Sequence, residues 1–321
     1  MTAAVILLNW RNASDTLACI ESVLASRYRD FQILVCDNAS GDGSVERFRA
    51  WSAAHASVAA LDAIGPGASC DAIRAALLHR VVWIETGGNL GFAGGNNVAL
   101  KLALAHSTHD FFWLLNNDCE VAPEALGTLV ARMQQDASLG ICGARIRYFQ
   151  APGLIQAYGG ARHNRWSGRA QYVGHLAAPD EAHDQADVER ALSYVSGASM
   201  FVRRAFVEDV GLMYEGYFLY FEEIDWAVRG RKMYRLGYEP AAVVFHKEGA
   251  TIGSSSDTRQ TSYLSDFYLF RNRLRFTARF YPYALPSVWL VMLLQALRRG
   301  ARGQRDRMWL IVQILFGRRV L

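Results

Sequence analysis

Three short polar clusters carry side chains of the kind that do chemistry. The first is Asn116-Asn-Asp-Cys-Glu120, directly after the unbroken apolar run Phe111 to Leu115. Asp118 and Glu120 offer hard oxygen donors suited to Mg2+ or Mn2+, and such a cation would hold a diphosphate. The competing reading is an acidic turn before the helix announced by Pro123-Glu124. The second cluster is Glu222-Glu-Ile-Asp225, which follows the aromatic run Phe218-Leu-Tyr-Phe221. A helix cap needs one acid. Several acids beside large apolar groups point to a carboxylate with a raised pKa acting as general base, either Glu223 or Asp225. Asp225 and Arg229 are spaced to pair along a helix. The third cluster is His246-Lys247, closing another apolar run. There His246 is a candidate second metal ligand, and Lys247 a cation facing the diphosphate.

Strand ends must position these groups. Ala3 to Leu8, Phe31 to Cys36, Val81 to Ile84 and Phe111 to Leu115 read as buried parallel strands alternating with helices. In such sheets ligands bind beyond the carboxyl ends of the strands. Asp37 lies at one such end, as a turn residue or as an acceptor for a nucleotide base or ribose. The segment Glu85 to Asn97 holds five glycines before a helix to about Ala105. That loop permits close backbone approach, and the helix N-terminus near Gly95 offers N–H groups to an anion. It matches neither the dinucleotide fingerprint nor the ATPase phosphate loop.

Farther on, Val121 to Gln135 reads as an amphipathic helix and Leu139 to Ile146 as a strand. Residues 150–190 are polar and rich in Gly and His, which predicts a mobile, irregular, substrate-facing region. Tyr194 to Val202 reads as a strand interrupted at Ser196-Gly-Ala198, where something approaches the backbone. Gly237 to His246 is a final strand, and residues 249–260 are a candidate lid. From Arg271 to Leu321 there are eleven Arg, no Lys and one acid, so this tail carries +10 and the remainder −6. Apolar stretches flanked by Arg read either as an anchor on an anionic membrane surface or as a helical hairpin packed on the domain. The high apolar content argues against nucleic acid. The five cysteines form no zinc pattern and are expected as reduced thiols of a cytoplasmic protein, with no secretory signal.

Taken in order, Asn9-Trp-Arg-Asn12, Asp37-Asn-Ala-Ser40, Asn89-Leu-Gly-Phe-Ala-Gly-Gly-Asn-Asn97, Leu114-Leu-Asn-Asn-Asp118, Val195-Ser-Gly-Ala-Ser-Met200, Phe218-Leu-Tyr-Phe-Glu-Glu-Ile-Asp225 and Phe245-His246 resemble the family 2 glycosyltransferases. The likeness is strongest to the bacterial rhamnosyltransferase-like branch and covers roughly residues 3–275. It implies a GT-A fold: α/β, with a Rossmann-like, mostly parallel central sheet flanked by helices, here with a C-terminal helical extension. The division it implies is a GT-A domain over 1–262, with a nucleotide half to about 120 and an acceptor half beyond, then a basic, apolar extension over 263–321.

The resemblance further implies a nucleoside-diphosphate sugar donor (a dTDP- or UDP-sugar), Mg2+ or Mn2+, and inversion at the anomeric carbon. Asn9, Asp37, Asn89, Gly91, Gly94, Gly95, Asn97, Asn116, Asn117 and Lys247 would face the nucleotide sugar. Asp118 and His246 would hold the metal, and Glu223 or Asp225 would be the base. Ser196, Gly197, Ala198, Glu222 and Trp226 would face the acceptor. Asn116 stands where the family's Asp-x-Asp motif has its first acid, and Glu223 where the base is usually Asp. The implied setting is bacterial cell-surface polysaccharide synthesis on a glycan or lipid-linked acceptor, at the inner face of the cell membrane. A nucleotidyltransferase and a non-catalytic nucleotide- or glycan-binding homologue are the alternatives.

Overall fold

The computed structural model describes residues 1–247 and 262–318. The expected lid at 249–260 lies outside the described residues. The first half runs β1 (Ala3–Asn9), α1 (Ala13–Leu24), β2 (Phe31–Asp37), α2 (Ser44–Ala54), α3 (Cys70–Ala76), β3 (Val81–Glu85), α4 (Gly91–His106), β4 (Phe111–Asn116), β5 (Cys119–Val121) and α5 (Ala125–Gln135). The second half runs β6 (Leu139–Tyr148), β7 (Ile155–Tyr158), β8 (Gly160–Asn164), β9 (Arg169–Tyr172), α6 (Gln185–Ala191), β10 (Tyr194–Val195), β11 (Ser199–Arg203), α7 (Arg204–Val210), α8 (Glu222–Gly230) and β12 (Arg235–His246). The chain then continues through α9 (Tyr263–Phe280), α10 (Leu285–Ala301) and α11 (Arg305–Leu315).

The apolar runs become strands buried on both faces, and the two-residue period sorts their side chains into two cores. Ala3, Val5 and Leu7 of β1 join Ile20 of α1, Phe48 of α2 and Leu129 of α5. Ala4 and Ile6 join Leu100 of α4, Phe206 of α7 and Trp226 of α8 on the other face. The main sheet has the order β3-β2-β1-β4-β11-β6-β12-β5, with β7 beside β6. It is parallel from β3 to β4. Beyond β4 it is mixed: β11 runs antiparallel to both neighbours, and β12 lies parallel to β6 but antiparallel to β5. All five cysteines are free thiols.

Three expectations need correction. The region 150–190 is not irregular but contains β7, β8, β9 and α6. Its strands are short, and β8 exposes Arg162 and Asn164 with no apolar run to mark it. The strand expected over Tyr194 to Val202 is two strands: β10 joins β8 and β9 in a small sheet, while β11 enters the main one. Ser196-Gly-Ala198 is the crossing between the sheets. The helix expected from Val121 starts at Ala125, because Cys119–Val121 pairs with β12.

The three C-terminal helices share a core of Phe270, Val288, Met292, Leu310 and Ile311. The other side of α9 packs Phe276 against Tyr217 and Ile224. No described helix is long and apolar enough to cross a membrane.

Candidate active site

A cleft of about 820 Å³ opens beyond the carboxyl ends of β1 and β4. Its floor is tied together by hydrogen bonds between strand ends. Asn9 donates to Asp37 Oδ1 at 2.7 Å and to Ser40 Oγ at 3.1 Å, and accepts from Thr16 Oγ1 at 2.7 Å. Asn117 donates to the same Thr16 oxygen at 2.9 Å. Asn9 and Asp37, expected to touch nucleotide, therefore lie below the cleft surface as its frame. Asn38, itself buried, lines the cleft: it donates to Asn89 Oδ1 at 3.0 Å and accepts from the Leu90 amide at 2.9 Å.

Three amides where the glycine-rich segment enters α4 are already taken. Leu90, Gly91 and Phe92 donate to Asn38, Asn89 and the Phe218 carbonyl, at 2.9, 3.1 and 2.8 Å. Gly91 has φ +71°, and a Cβ there would sit 2.3 Å from the Phe218 oxygen. Gly94 and Gly95 lie inside α4 and serve helix packing; a Cβ on Gly95 would meet Leu8 Cδ1 at 2.3 Å. Asn97 is spent on Met213 and Glu215.

The Asn117-Asp118 turn after β4 leads into β5, whose pairing with β12 sets Asp118 beside His246. His246 Nε2 lies 3.2 Å from Asp118 Oδ1. That buried oxygen has no other hydrogen-bond partner, so its close polar contact is with the His246 ring. His246 Nδ1 stands 2.9 Å from Gln156 Oε1, an acceptor, which puts a proton on Nδ1. Burial pushes the Asp118 carboxyl up, but His246 and Lys247 outweigh it and hold the group below the usual carboxylate range. An unsatisfied carboxylate oxygen next to an imidazole nitrogen backed by Gln156 is a donor set that fits a divalent cation. Cys119 lies within 4.8 Å of both, but its thiol faces the Ala198 carbonyl and burial drives its pKa well up. Glu120 and Lys247, expected near diphosphate, are paired with each other at 3.1 Å, and Lys247 also holds Asp15 at 2.7 Å. Burial pulls the Lys247 ammonium down, and its hydrogen bonds to both acids overcome that and raise it.

The three acids at the start of α8 part company. Asp225 is fully buried, held by Arg229 at 2.8 Å, Arg279 at 3.2 Å and the Tyr217 hydroxyl at 3.0 Å. It is a structural anchor rather than a free base. Trp226, expected at the acceptor, is fully buried on the far side and donates to the Gly211 carbonyl. Glu222 and Glu223 line the cleft with Ser196, Gly197 and Ala198. Burial raises both carboxyls, and the charge of Glu223 raises Glu222 further. Neither oxygen of Glu222 has a hydrogen-bond partner, so Glu222 keeps its proton and Glu223 is the group that ionises. Backbone amides, including that of Gly197, partly offset the rise at Glu223. A Cβ at Gly197 would lie 2.3 Å from Glu223 Oε1, so a side chain there would displace the Glu223 carboxyl.

Trp10, Phe92, Gln156 and Tyr220 also line the cleft and were not singled out in the sequence. Gln156 lay in the region read as irregular; a polar residue amid the small apolar Ile155 and Ala157 was its only signal. A larger hollow of about 1620 Å³ holds one acid, Glu189, already paired with Arg132 at 2.7 Å. The smaller cleft, with Asp118, Glu222 and Glu223, is therefore the candidate active site.

Comparison with known proteins agrees with this architecture. A curated relative, the low-salt glycan biosynthesis hexosyltransferase Agl10 of Haloferax volcanii, is 26% identical over 47% of this chain and 46% of its own. The chain thus spans about half the length of that relative. Among solved structures, the mannosyltransferase PcManGT of Pyrobaculum calidifontis, in complex with GDP-Man and Mn2+, has a TM-score of 0.58 at 14% identity, covering 99% of this chain and 88% of its own. GalNAc-T7 with UDP, GalNAc and Mn2+ has a TM-score of 0.59 at 16% identity, covering 87% and 48%. Both share the GT-A fold. A sequence profile matches residues 4–211, from the first strand to the end of α7, and by that match the chain belongs to glycosyl transferase family 2.

Proposed function

We propose that this protein is a metal-dependent, inverting glycosyltransferase using a nucleoside-diphosphate sugar. Its acceptor is a glycan or lipid-linked molecule of bacterial cell-surface polysaccharide synthesis. The observation that carries the reading is one cleft holding an unsatisfied Asp118–His246 pair and a separate, ionisable Glu223. Family membership and the two solved relatives with Mn2+ support it. The hexosyltransferase relative widens the donor from rhamnose to hexoses generally.

Asp118 and the neutral imidazole of His246 would hold Mg2+ or Mn2+. That cation supplies positive charge to the diphosphate leaving group. Asn89, held by Asn38, offers its side-chain N–H groups at the nucleotide end. Glu223 accepts the proton of the acceptor hydroxyl as that oxygen bonds to the anomeric carbon. The bond from that carbon to the diphosphate breaks on the opposite face, which inverts the configuration in one displacement. The raised pKa of Glu223 brings its basicity closer to working pH.

The test is turnover of a nucleotide-sugar panel with Mn2+ and analysis of products. Release of a nucleoside diphosphate supports the proposal. Release of pyrophosphate would mean nucleotidyl transfer, and donor binding without any turnover would mean a binding protein.

A further inference from the structure

The C-terminal helices bring unpaired arginines to one end of the cleft. Arg273 of α9 is only 4% exposed. It donates to Gln295 Oε1 of α10 at 2.6 Å, yet its Nε has no partner. Its stem packs against Gly168, at the turn between β8 and β9. Arg298 of α10, Arg302 just after it and Arg169 of β9 line the same cleft. Among the described residues, no carboxylate pairs with these four. The nearby Asp266 is already bound by Arg299 and Arg307. Burial, and then the charges of Arg169 and Arg299, lower Arg273 to about 10. A buried guanidinium with an unfilled N–H is costly unless an anion completes it. Guanidinium forks match phosphate oxygens in pairs.

We infer that Arg273, Arg298 and Arg302 bind a phosphate or diphosphate group carried by the acceptor. This rests on the transferase reading, in which the donor diphosphate belongs at Asp118 and His246, leaving the arginine end to the acceptor. An uncharged glycan gives these cations nothing to neutralise. Leu290, Leu294 and Leu297 are exposed at helical spacing along α10 immediately before Arg298, where an apolar chain on the phosphate would run.

The experiment is calorimetric binding of farnesyl diphosphate, inorganic pyrophosphate and farnesol to the full chain without divalent metal. Nucleoside diphosphate with Mn2+ is measured in parallel. Arg298 and Arg302 are exposed, so the double variant Arg298→Gln/Arg302→Gln should fold. It should weaken farnesyl diphosphate at least about tenfold and leave nucleoside diphosphate binding within about twofold. Arg273→Lys, which keeps charge but loses the fork, should give a smaller loss. Tighter binding of farnesyl diphosphate than pyrophosphate identifies a lipid carrier; equal binding identifies the phosphate group alone. Farnesol binding as tightly as farnesyl diphosphate would overturn the inference. So would indifference to the double variant, or a parallel loss of nucleotide binding. If nucleoside diphosphate fails to bind the parent while farnesyl diphosphate binds as predicted, the transferase reading falls and the anion site stands.

Discussion

Glu222 and Glu223 are adjacent in the chain, but their carboxyls sit in different electrostatic settings. Glu223→Gln should lower kcat by about 10²- to 10⁴-fold and leave nucleotide binding unchanged. A kcat within a few-fold of the parent would place the base elsewhere. The rate should rise with pH through a pKa above the ordinary Glu value, because the base acts only when ionised. Glu222 makes a stability prediction. Its folded pKa is raised, so the native state keeps a proton that the unfolded chain has lost, and stability falls as pH rises above the unfolded value. Glu222→Gln removes this penalty, so between about pH 5 and 8 its Tm should fall less than the parent's. Equal slopes would show that Glu222 is not buried with its proton. The acids were legible in the sequence as a run beside aromatics. Which of them faced the cleft was not legible, since Glu223 and Asp225 fitted the base equally well and only the buried partners of Asp225 separate them. Asp225's second cation, Arg279, lies too far along the chain to be read from local pattern.

At the scale of elements, the segment entering α8 is bent into an unfavourable backbone. Phe218, Tyr220 and Phe221 have φ of +72°, +65° and +78°, a left-handed region that bulky residues avoid at about 1–3 kcal/mol each. Asn272 of α9 holds the bend by donating to the Tyr217 and Leu219 carbonyls at 2.9 and 2.7 Å. This bend turns Glu222 and Glu223 into the cleft. Asn272→Leu should therefore destabilise the protein by about 2–3 kcal/mol in urea unfolding and depress turnover even where it remains folded. A loss under about 0.5 kcal/mol with full activity would contradict that role. The four buried parallel strands were readable from their apolar runs. β7, β8 and β9 were not, because short half-exposed strands leave no periodic signal over so few residues. The glycines of α4 were visible, but whether they met ligand or Leu8 depended on packing across the sheet.

For the whole molecule, the basic tail proves to be three helices, of which α9 packs against the segment around the start of α8, and α10 and α11 share a core with its other side. The sequence showed the charge and the apolar stretches, but not that Arg273 would be drawn inside. The membrane-anchor reading predicts that the chain sediments with anionic vesicles at low salt and not with neutral ones. Trp309 and Phe316 are exposed on α11 and the residue after it, so Trp309→Ser/Phe316→Ser should release the protein without unfolding it. Undiminished sedimentation would refute the anchor. The central claim, a metal-assisted site for a nucleotide-sugar donor, is tested most directly by thermal unfolding against nucleoside diphosphates and nucleotide sugars, with and without Mn2+. One nucleotide at about a hundred times its Kd should raise the Tm by several degrees, more with Mn2+, and Asp118→Ala should abolish the metal-dependent part. Stabilisation indifferent to both Mn2+ and Asp118, or none from any nucleotide, would contradict the account.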